Sequence, residues 1–408
     1  MDRVEQPGLD LIAFRRDLHA HPELSHREER TTEVVLHQLE RAGVRARRLP
    51  GTGLVADLGA EQPAYRVALR ADIDALPVPE VTGLPWASTV HGVCHACGHD
   101  VHTTVVLGAG LALAHHEPAL VEMGVGVRLI FQPAEEVIPG GAHEVMEAGG
   151  LDGVDRILTV HCDPTIDVGE VGLKVGPVTA ASDAVEVTLN GRGGHTSRPH
   201  LTQDLTYALA KVVTDVPAAL SRRIDPRAGV ALVWGSVHAG GAQNVIPATG
   251  TVSGTLRMLD VQAWNTAGAL LEQIIHAVVL PYGVTATVRH VQGVPPVLND
   301  AAAIDALRAG VLGGGAVETT TLQSLGGEDF GWYLTQVSGA LARLGTRTPG
   351  GPTFDLHMGD VIIDERAVGI GVRVLTQATL WSAREARSGQ DTPEPRPRRD
   401  SVGIVAPR

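Results

Sequence analysis

Short apolar runs alternate along the chain with longer stretches whose apolar positions recur at helical spacing. The runs at residues 65–70, 125–131 and 156–160 predict buried strands, and the Ala- and Leu-rich stretch 103–115 predicts a helix. Polar residues gather just after these strands, where open α/β sheets form their ligand sites. The pattern therefore predicts a doubly wound α/β sheet with one site along the carboxyl edge of its strands.

Both ends of this unit are predicted from the same spacing. Two helices are expected between residues 8 and 43, and the second covers about residues 28–42 before Gly43, a residue common after a helix C-terminus. A short strand at 341–344 and a helix at 364–386 resume the α/β pattern late in the chain.

The pattern changes after about residue 180 to the strict apolar–polar alternation of half-buried strands. Six elements follow in the order strand, helix, strand, strand, helix, strand: residues 184–190, 204–220, 229–237, 250–259, 262–280 and 284–292. This order is that of a ferredoxin-like α+β unit. The prediction is a domain inserted at 182–292. The first domain would then comprise 1–181 and 293–386, followed by a proline-rich, disordered tail at 387–408.

Composition narrows the function classes. The 408 residues contain 33 basic and 46 acidic side chains, a net charge of −13, which argues against nucleic acid or an anionic membrane as partner. No apolar run approaches the ~20 residues needed to span a bilayer. The start of the sequence lacks the pattern of a signal peptide, so we expect a cytosolic protein. Its three cysteines are then metal ligands, catalytic groups or inert thiols rather than a disulfide framework.

Segment 91–102, HGVCHACGHDVH, concentrates histidine, cysteine and aspartate, which are the side chains that bind zinc-like ions. Cys97 and His99 are two residues apart, so an extended backbone would present both to the same side. Asp100 or Asp72 could orient an imidazole by hydrogen bonding to it. The segment therefore predicts one side of a metal centre.

Further candidates follow other predicted strands. Glu135 and Glu136 end the second strand, where one carboxylate could bind a metal and the other act as general base, although a solvated acidic turn has the same sequence. His161 ends the next strand as a further ligand. His357, in a late loop, could complete the set if the fold returns it to this edge.

Three other histidines are open to two interpretations. His195 lies in the glycine-rich stretch 191–200 and could stabilise an oxyanion, but a surface or core histidine fits equally well. His19 and His21 could be ligands, yet nothing nearby completes a coordination shell, so a structural role is favoured. The Cys94-X-X-Cys97 spacing also fits a dithiol redox motif.

Seven motifs in this order resemble the binuclear metal-dependent amidohydrolases of the aminoacylase/carboxypeptidase type, in the branch of hippurate hydrolase and auxin-conjugate amidohydrolases. The motifs are FRRDLHAHPELS (14–25), LRADIDALPVPE (69–80), HACGHDVHT (95–103), FQPAEE (131–136), GRGGHTSRPH (191–200), QNVIPATGTVSGTLR (243–257) and GGEDF (326–330). Together they span nearly everything up to about residue 380.

The resemblance implies a zinc-peptidase-like catalytic domain that binds two divalent ions, and it makes the inserted domain a lid or dimerisation domain. By position in the motifs, the implied ligands are Cys97, His99, Glu136, His161 and His357. It further implies Glu135 as general base and His195 as a carbonyl-stabilising group, from the same or a partner subunit. Asn244 and Arg257 would grip the substrate carboxylate. Cys94 and Cys162 depart from the family pattern without changing the expected reaction.

The expected activity is hydrolysis of the amide bond of N-acyl amino acids, a small-molecule substrate class. The ions would be zinc or manganese, with cobalt and nickel also compatible with these ligands. A dipeptidase or aminopeptidase of the same fold is the alternative within the family, and a non-catalytic metal or redox protein using Cys94 and Cys97 is the alternative outside it. Edge strands in the lid would allow a homodimer.

Overall fold

The computed structural model describes residues 9–389. Ten α-helices lie in this range: α1 (Leu11–Ala20), α2 (Glu29–Arg41), α3 (His99–Ala114), α4 (Glu117–Glu122), α5 (Gly141–Glu147), α6 (Leu205–Arg223), α7 (Val261–Val279), α8 (Ala301–Gly313), α9 (Phe330–Leu334) and α10 (Arg366–Ser388). The predicted tail lies outside the described residues from 390 onward, whereas Arg387 and Ser388 still belong to α10.

Sixteen strands are present between residues 9 and 389: β1 (Arg45–Arg48), β2 (Leu54–Gly59), β3 (Tyr65–Asp72), β4 (Val125–Gln132), β5 (Arg156–Asp167), β6 (Glu170–Gly172), β7 (Gly176–Pro177), β8 (Ala181–Asn190), β9 (Gly194–His195), β10 (Ala231–Ala239), β11 (Val245–Ile246), β12 (Thr249–Met258), β13 (Thr285–Val294), β14 (Leu298–Asn299), β15 (Val317–Thr319) and β16 (Ser338–Arg347).

The larger sheet contains eight strands in the order β1-β2-β4-β3-β5-β16-β6-β15. Its central strands β4, β3, β5 and β16 run parallel, so their carboxyl ends share one edge. Helices α1, α3, α8 and α10 cover one face, and α5 with α9 covers the other. The predicted α/β fold class is confirmed, with antiparallel strands added at the margins of the sheet.

Helix α3 is the most deeply buried helix near that edge, and two glycines allow its close packing. A Cβ atom on Gly110 would lie 2.2 Å from Leu129 Cδ1 of β4, and one on Gly108 would lie 2.6 Å from Val372 Cγ2 of α10. Any side chain at either position would push the helix away. Because α3 begins at His99, this packing also fixes the position of a predicted ligand.

The smaller sheet is antiparallel, with the order β10-β12-β8-β13. Helices α6 and α7 pack together over it, and their apolar sides form a separate core. The element order β8-α6-β10-β12-α7-β13 is the predicted ferredoxin-like order. The ring of Trp264, on α7, meets that of Trp332, on α9, edge to face at 5.6 Å, so the two cores touch there.

Within residues 9–389 no single helix has the length and apolar character to cross a bilayer. Helices α3 and α4 pass such a test only when taken together, and they are bent by 74°.

Two element boundaries that bear on the site differ from the sequence prediction. Helix α3 begins at His99 rather than at residue 103, because Gly98 adopts a left-handed conformation (φ 84°) that starts the helix early. Strand β5 continues to Asp167, so His161 lies inside a strand rather than at its end.

Candidate metal centre

The loop before α3 brings two predicted ligands together by a route that the sequence analysis did not anticipate. Cys97 precedes Gly98, and His99 is the first residue of α3, so the expected extended backbone is wrong. A Cβ on residue 98 would lie 2.8 Å from Cys162 Sγ, so the tight turn there requires glycine. The turn, rather than strand alternation, directs both side chains toward the same site.

All five predicted ligands converge on this edge. Their ligand atoms form overlapping groups whose members lie within 4.8 Å of one another: Cys97 with His99 and His161, Cys97 with Glu136 and His357, and His99 with Glu135 and Glu136. Cys97 Sγ is 3.6 Å from His161 Nε2, and His357 Nε2 is 3.3 Å from Glu136 Oε1. Cys97, His99 and Glu136 each belong to two of these groups, so the five side chains could hold two divalent ions side by side.

The donor atoms fit divalent metal. His99 Nε2 and Glu136 Oε1 are buried and have no hydrogen-bond partner, a costly arrangement unless a cation satisfies them. Burial raises the pKa of the Cys97 thiol, and the neighbouring Cys97 and Glu136 side chains raise the pKa of His357 to about 10. A divalent cation would instead favour the thiolate and the neutral imidazole.

Asp74 orients two ligands at once. His99 Nδ1 donates to the main-chain oxygen of Asp74 at 2.9 Å and lies 3.2 Å from its Oδ1. The other carboxylate oxygen accepts from the Glu136 main-chain N–H at 3.0 Å and from Ser25 Oγ at 2.7 Å. These contacts direct His99 Nε2 toward the ligand cluster.

We expect Asp74→Asn to weaken metal binding by about 10–100-fold while leaving the fold intact, because hydrogen bonds to ligands from neighbouring carboxylates have effects of this size. Competition with a chromogenic chelator measures the affinity. Asp163→Asn is the matched control. Asp163 directly follows His161 and Cys162 on β5, but within residues 9–389 its carboxylate accepts hydrogen bonds only from Thr165. Equal affinities for both variants would contradict the role of Asp74.

Glu135, the predicted general base, lies in a group with His99 and Glu136. It is half-buried, and its Oε1 accepts from the Asp329 main-chain N–H at 3.3 Å. Burial, together with the charges of Glu328 and Glu136, raises its pKa well above the usual range. A carboxylate beside the ligand cluster with a raised pKa is suited to accept and return a proton near neutral pH.

A buried arginine that sequence reasoning missed holds the acidic side of the site together. Arg70 NH1 binds Asp72 Oδ2 at 2.6 Å, and NH2 binds Asp329 Oδ1 at 2.9 Å and Glu328 Oε1 at 3.2 Å. Its Nε donates to Gln132 at 2.9 Å. The side chain is 1% exposed, so this cation neutralises carboxylates that water cannot reach.

The two aspartates expected to orient a ligand imidazole have other partners. Asp72 Oδ1 binds His102 Nδ1 at 2.6 Å, and Asp100 binds His19 at 2.8 Å and Arg15 at 2.7 Å. His102 in turn accepts from the main-chain N–H of Cys162, so it fixes β5 next to the His161 ligand.

The other histidines of segments 14–25 and 91–102 lie outside the groups that contain the predicted ligands. His19 is buried, and His21 donates to the main-chain oxygen of Asp17. His91 is exposed, and His95 is buried.

Glu28, also missed, supports the turn that carries the acidic pair. Its buried carboxylate accepts from the Ala134 main-chain N–H at 2.8 Å and from Thr52 Oγ1 at 2.6 Å. Ala134 has a φ of 52°, rare for a residue with a side chain, and it directly precedes Glu135. Nothing in the local sequence around Glu28 indicates this contact.

The three remaining predicted site residues belong to the smaller domain. His195 is exposed on β9, which pairs with β11, and its Nδ1 accepts from Ser197. Asn244 is exposed, and its main-chain oxygen accepts a hydrogen bond from the Thr196 main-chain N–H at 3.2 Å, which puts it beside His195. Arg257, on β12, donates to the main-chain oxygen of Leu325, three residues before Glu328. None of the three joins a ligand group.

Known proteins share this organisation. The sequence profile described as peptidase family M20/M25/M40 matches residues 68–380, more than half of the chain. A Bacillus subtilis (strain 168) protein named N-acetyl-L-cysteine deacetylase is 37% identical over 359 residues, which cover 88% of this chain and 84% of that protein. A Geobacillus stearothermophilus protein named N-acyl-L-amino acid amidohydrolase is 37% identical over 297 residues, covering 72% and 80%.

A longer relative and a solved structure complete the comparison. A Rhodococcus jostii (strain RHA1) protein provisionally named glutamate–cysteine ligase 2-3 is 46% identical over 385 residues. These cover 93% of this chain but 48% of that protein, so the chain spans about half of its length. The crystal structure of Bacillus subtilis YXEP, described as a dinuclear metal-binding peptidase of the M20 family, superposes with a TM-score of 0.80 at 31% identity, covering 92% of this chain and 98% of YXEP.

Proposed function

The chain belongs to peptidase family M20/M25/M40, and from this premise we propose that it is a metal-dependent amidohydrolase that cleaves the amide bond of N-acyl-L-amino acids. The observation that carries the proposal is the convergence of five potential metal ligands at one edge of the sheet, with the carboxylate of Glu135 beside them. Two relatives named for deacylation of N-acyl amino acids support the substrate class.

The reaction follows from the roles of the side chains. Two divalent cations, held by Cys97, His99, Glu136, His161 and His357, would acidify water and polarise the amide carbonyl. Glu135 accepts the proton of the attacking water and delivers it to the leaving nitrogen. The C–N bond breaks, and the products are a carboxylic acid and a free amino acid.

Residues of the smaller domain complete the substrate site in this proposal. His195 donates a hydrogen bond to the oxygen on which negative charge develops, and its exposure makes it available to its own subunit or to a partner's site. Arg257 and Asn244 bind the carboxylate of the amino acid. A homodimer formed through edge strands β10 and β13 of the smaller sheet would bring a second lid close.

We also propose the finer features of the reaction. Zinc or manganese occupies the site, with cobalt and nickel as compatible substitutes, because thiolate, imidazole and carboxylate ligands suit these ions. Aromatic acyl groups, as in hippurate, are among the substrates. A cytosolic location suits a thiolate that binds metal, because a reducing compartment protects it from oxidation.

A substrate and metal panel tests this proposal. We expect chelator-treated protein to be inactive and to regain hydrolysis of N-acetyl amino acids or hippurate after zinc or manganese is restored. Free dipeptides form the control arm, because a dipeptidase or aminopeptidase would prefer them. Equal rates before and after metal removal, or cleavage of dipeptides alone, would overturn the assignment.

A further inference from the structure

Arg343 is a buried cation without a protein partner. It lies on β16 with 8% of its surface exposed, and within residues 9–389 no hydrogen bond or ion pair involves its guanidinium group. The four other buried arginines of this range all have partners: Arg15 binds Asp100, Arg70 binds Asp72, Arg128 binds Asp57 and Arg156 binds Ser382. An unpaired buried charge is costly, so this exception requires an explanation.

The residue sits beside the metal centre. Arg343 pairs in register with His161, because β16 runs parallel to β5, and side chains paired in this way project from the same face of the sheet. The positive charge of Arg343 adds to the effect of burial in lowering the pKa of His161, consistent with their proximity. Each of the two residues is 8% exposed, so neither is fully enclosed by protein.

The main chain packs closely on one side of Arg343. There β6 places Gly172 in register with it. A Cβ on residue 172 would lie 3.2 Å from Arg343 Cβ and 2.7 Å from Thr321 Cβ, so this close approach of β6 requires glycine. Of the guanidinium nitrogens, none is among the fully enclosed, unpartnered atoms of the described chain, so each can reach solvent or a ligand.

An anion is the ligand that this arrangement favours. A guanidinium group presents paired N–H donors that match a carboxylate, and partial burial strengthens such a contact. The acidic side chains Glu328 and Asp329 already have a cationic partner, because both bind Arg70. Arg343 is therefore available to a charge brought by the substrate.

We propose that Arg343 binds a second carboxylate of the substrate, so that the preferred substrates are N-acyl amino acids with an additional carboxylate on the amino-acid side chain or on the acyl group. This proposal rests on the proposed amidohydrolase function. It assigns Arg343 a role distinct from that of Arg257, which would bind the α-carboxylate from the smaller domain.

Two matched substrate pairs test the assignment: N-acetyl-L-glutamate with N-acetyl-L-glutamine, and an N-succinyl amino acid with its N-succinamoyl counterpart. We expect the wild-type protein to favour the dicarboxylate of at least one pair by about 10–100-fold in kcat/KM, the usual effect of a hydrogen-bonded charge. Arg343→Met should abolish the preference through a much larger loss of kcat/KM on the dicarboxylate than on its monocarboxylate counterpart, and Arg343→Lys should keep part of the preference. The matched control, Arg347→Met on the same strand, should keep all of it, since Arg347 binds Asp167.

The outcomes separate the two proposals. Hydrolysis of the monocarboxylate substrates without a preference for either dicarboxylate overturns the assignment of Arg343 alone. An equal loss on both members of a pair in Arg343→Met, with metal content unchanged, also overturns it, because it would indicate a structural role. If no N-acyl substrate is cleaved by the metal-loaded protein, the amidohydrolase function itself is wrong.

Discussion

Glu135→Gln is expected to lower kcat for N-acyl amino acid hydrolysis by about 10³-fold while the bound metal is retained, since positioned general bases contribute about 10²–10⁴-fold. Glutamine preserves the size of the side chain and can still accept the hydrogen bond from the Asp329 N–H, which Glu135 Oε1 accepts at 3.3 Å. It cannot take a proton from water. Steady-state kinetics and metal analysis on the same preparation measure the two quantities together.

The adjacent carboxylate provides the matched control. Glu136→Gln makes the same chemical change one residue further along, but Glu136 belongs to two ligand groups, so this variant should lose metal as well as activity. Retained turnover in Glu135→Gln would refute the assignment of the base. Loss of metal in both variants would instead make Glu135 a ligand.

The pH profile offers a second readout for Glu135. Burial and the charges of Glu328 and Glu136 raise the pKa of its carboxyl group. Because only the ionised form accepts a proton, wild-type kcat/KM should fall as the pH drops through this pKa. The residual activity of Glu135→Gln should lack that acid limb, provided that metal saturation is maintained across the range.

The convergence of the predicted ligands could be anticipated because most of these side chains occur in short motifs at strand ends. His161 and Glu136 follow or lie within apolar strands that the spacing identified, and parallel strands bring their carboxyl ends to one edge. His357 lies in a loop whose path the pattern does not predict. Only the family resemblance placed it with the others, and its main-chain N–H donates to the Ala96 oxygen beside Cys97.

The supporting residues were not predictable in the same way, because their contacts join distant parts of the chain. Glu28 and Ala134 are separated by 106 positions, and Arg70 and Asp329 by 259. One signal was nevertheless present in the sequence. Arg70 is the last residue of one predicted strand and Arg343 lies within another, and a charge in a strand of a buried sheet indicates a buried partner or a ligand.

Arg70→Met is expected to lower the free energy of unfolding by about 3–5 kcal/mol near neutral pH, because removal of one member of a buried ion network leaves the others uncompensated. Asp72, Glu328 and Asp329 lie within 3.2 Å of the guanidinium nitrogens, and each is at most 4% exposed. Methionine fills much of the volume but donates no hydrogen bond. Chemical denaturation of metal-free protein measures the cost without a contribution from metal binding.

The pH dependence of that cost has a definite sign. Burial raises the pKa of Asp329 to about 7 even though the charge of Arg70 opposes the rise, so the variant should have a still higher value. A carboxyl group whose folded pKa exceeds its unfolded pKa destabilises the fold as the pH rises through the folded value. The difference between wild type and Arg70→Met should therefore be larger near pH 8 than near pH 5.

A variant at an exposed ion pair distinguishes the loss of the buried network from the loss of a positive charge in general. Arg45→Met removes the cation that faces Glu61 on the surface, where both side chains are more than half exposed, and should cost less than about 1 kcal/mol with little dependence on pH. Arg70→Lys should fall between the two, because lysine keeps the charge but cannot reach three partners from one planar group. If Arg70→Met were no more costly than Arg45→Met, the acidic edge of the site would not depend on Arg70 for its stability.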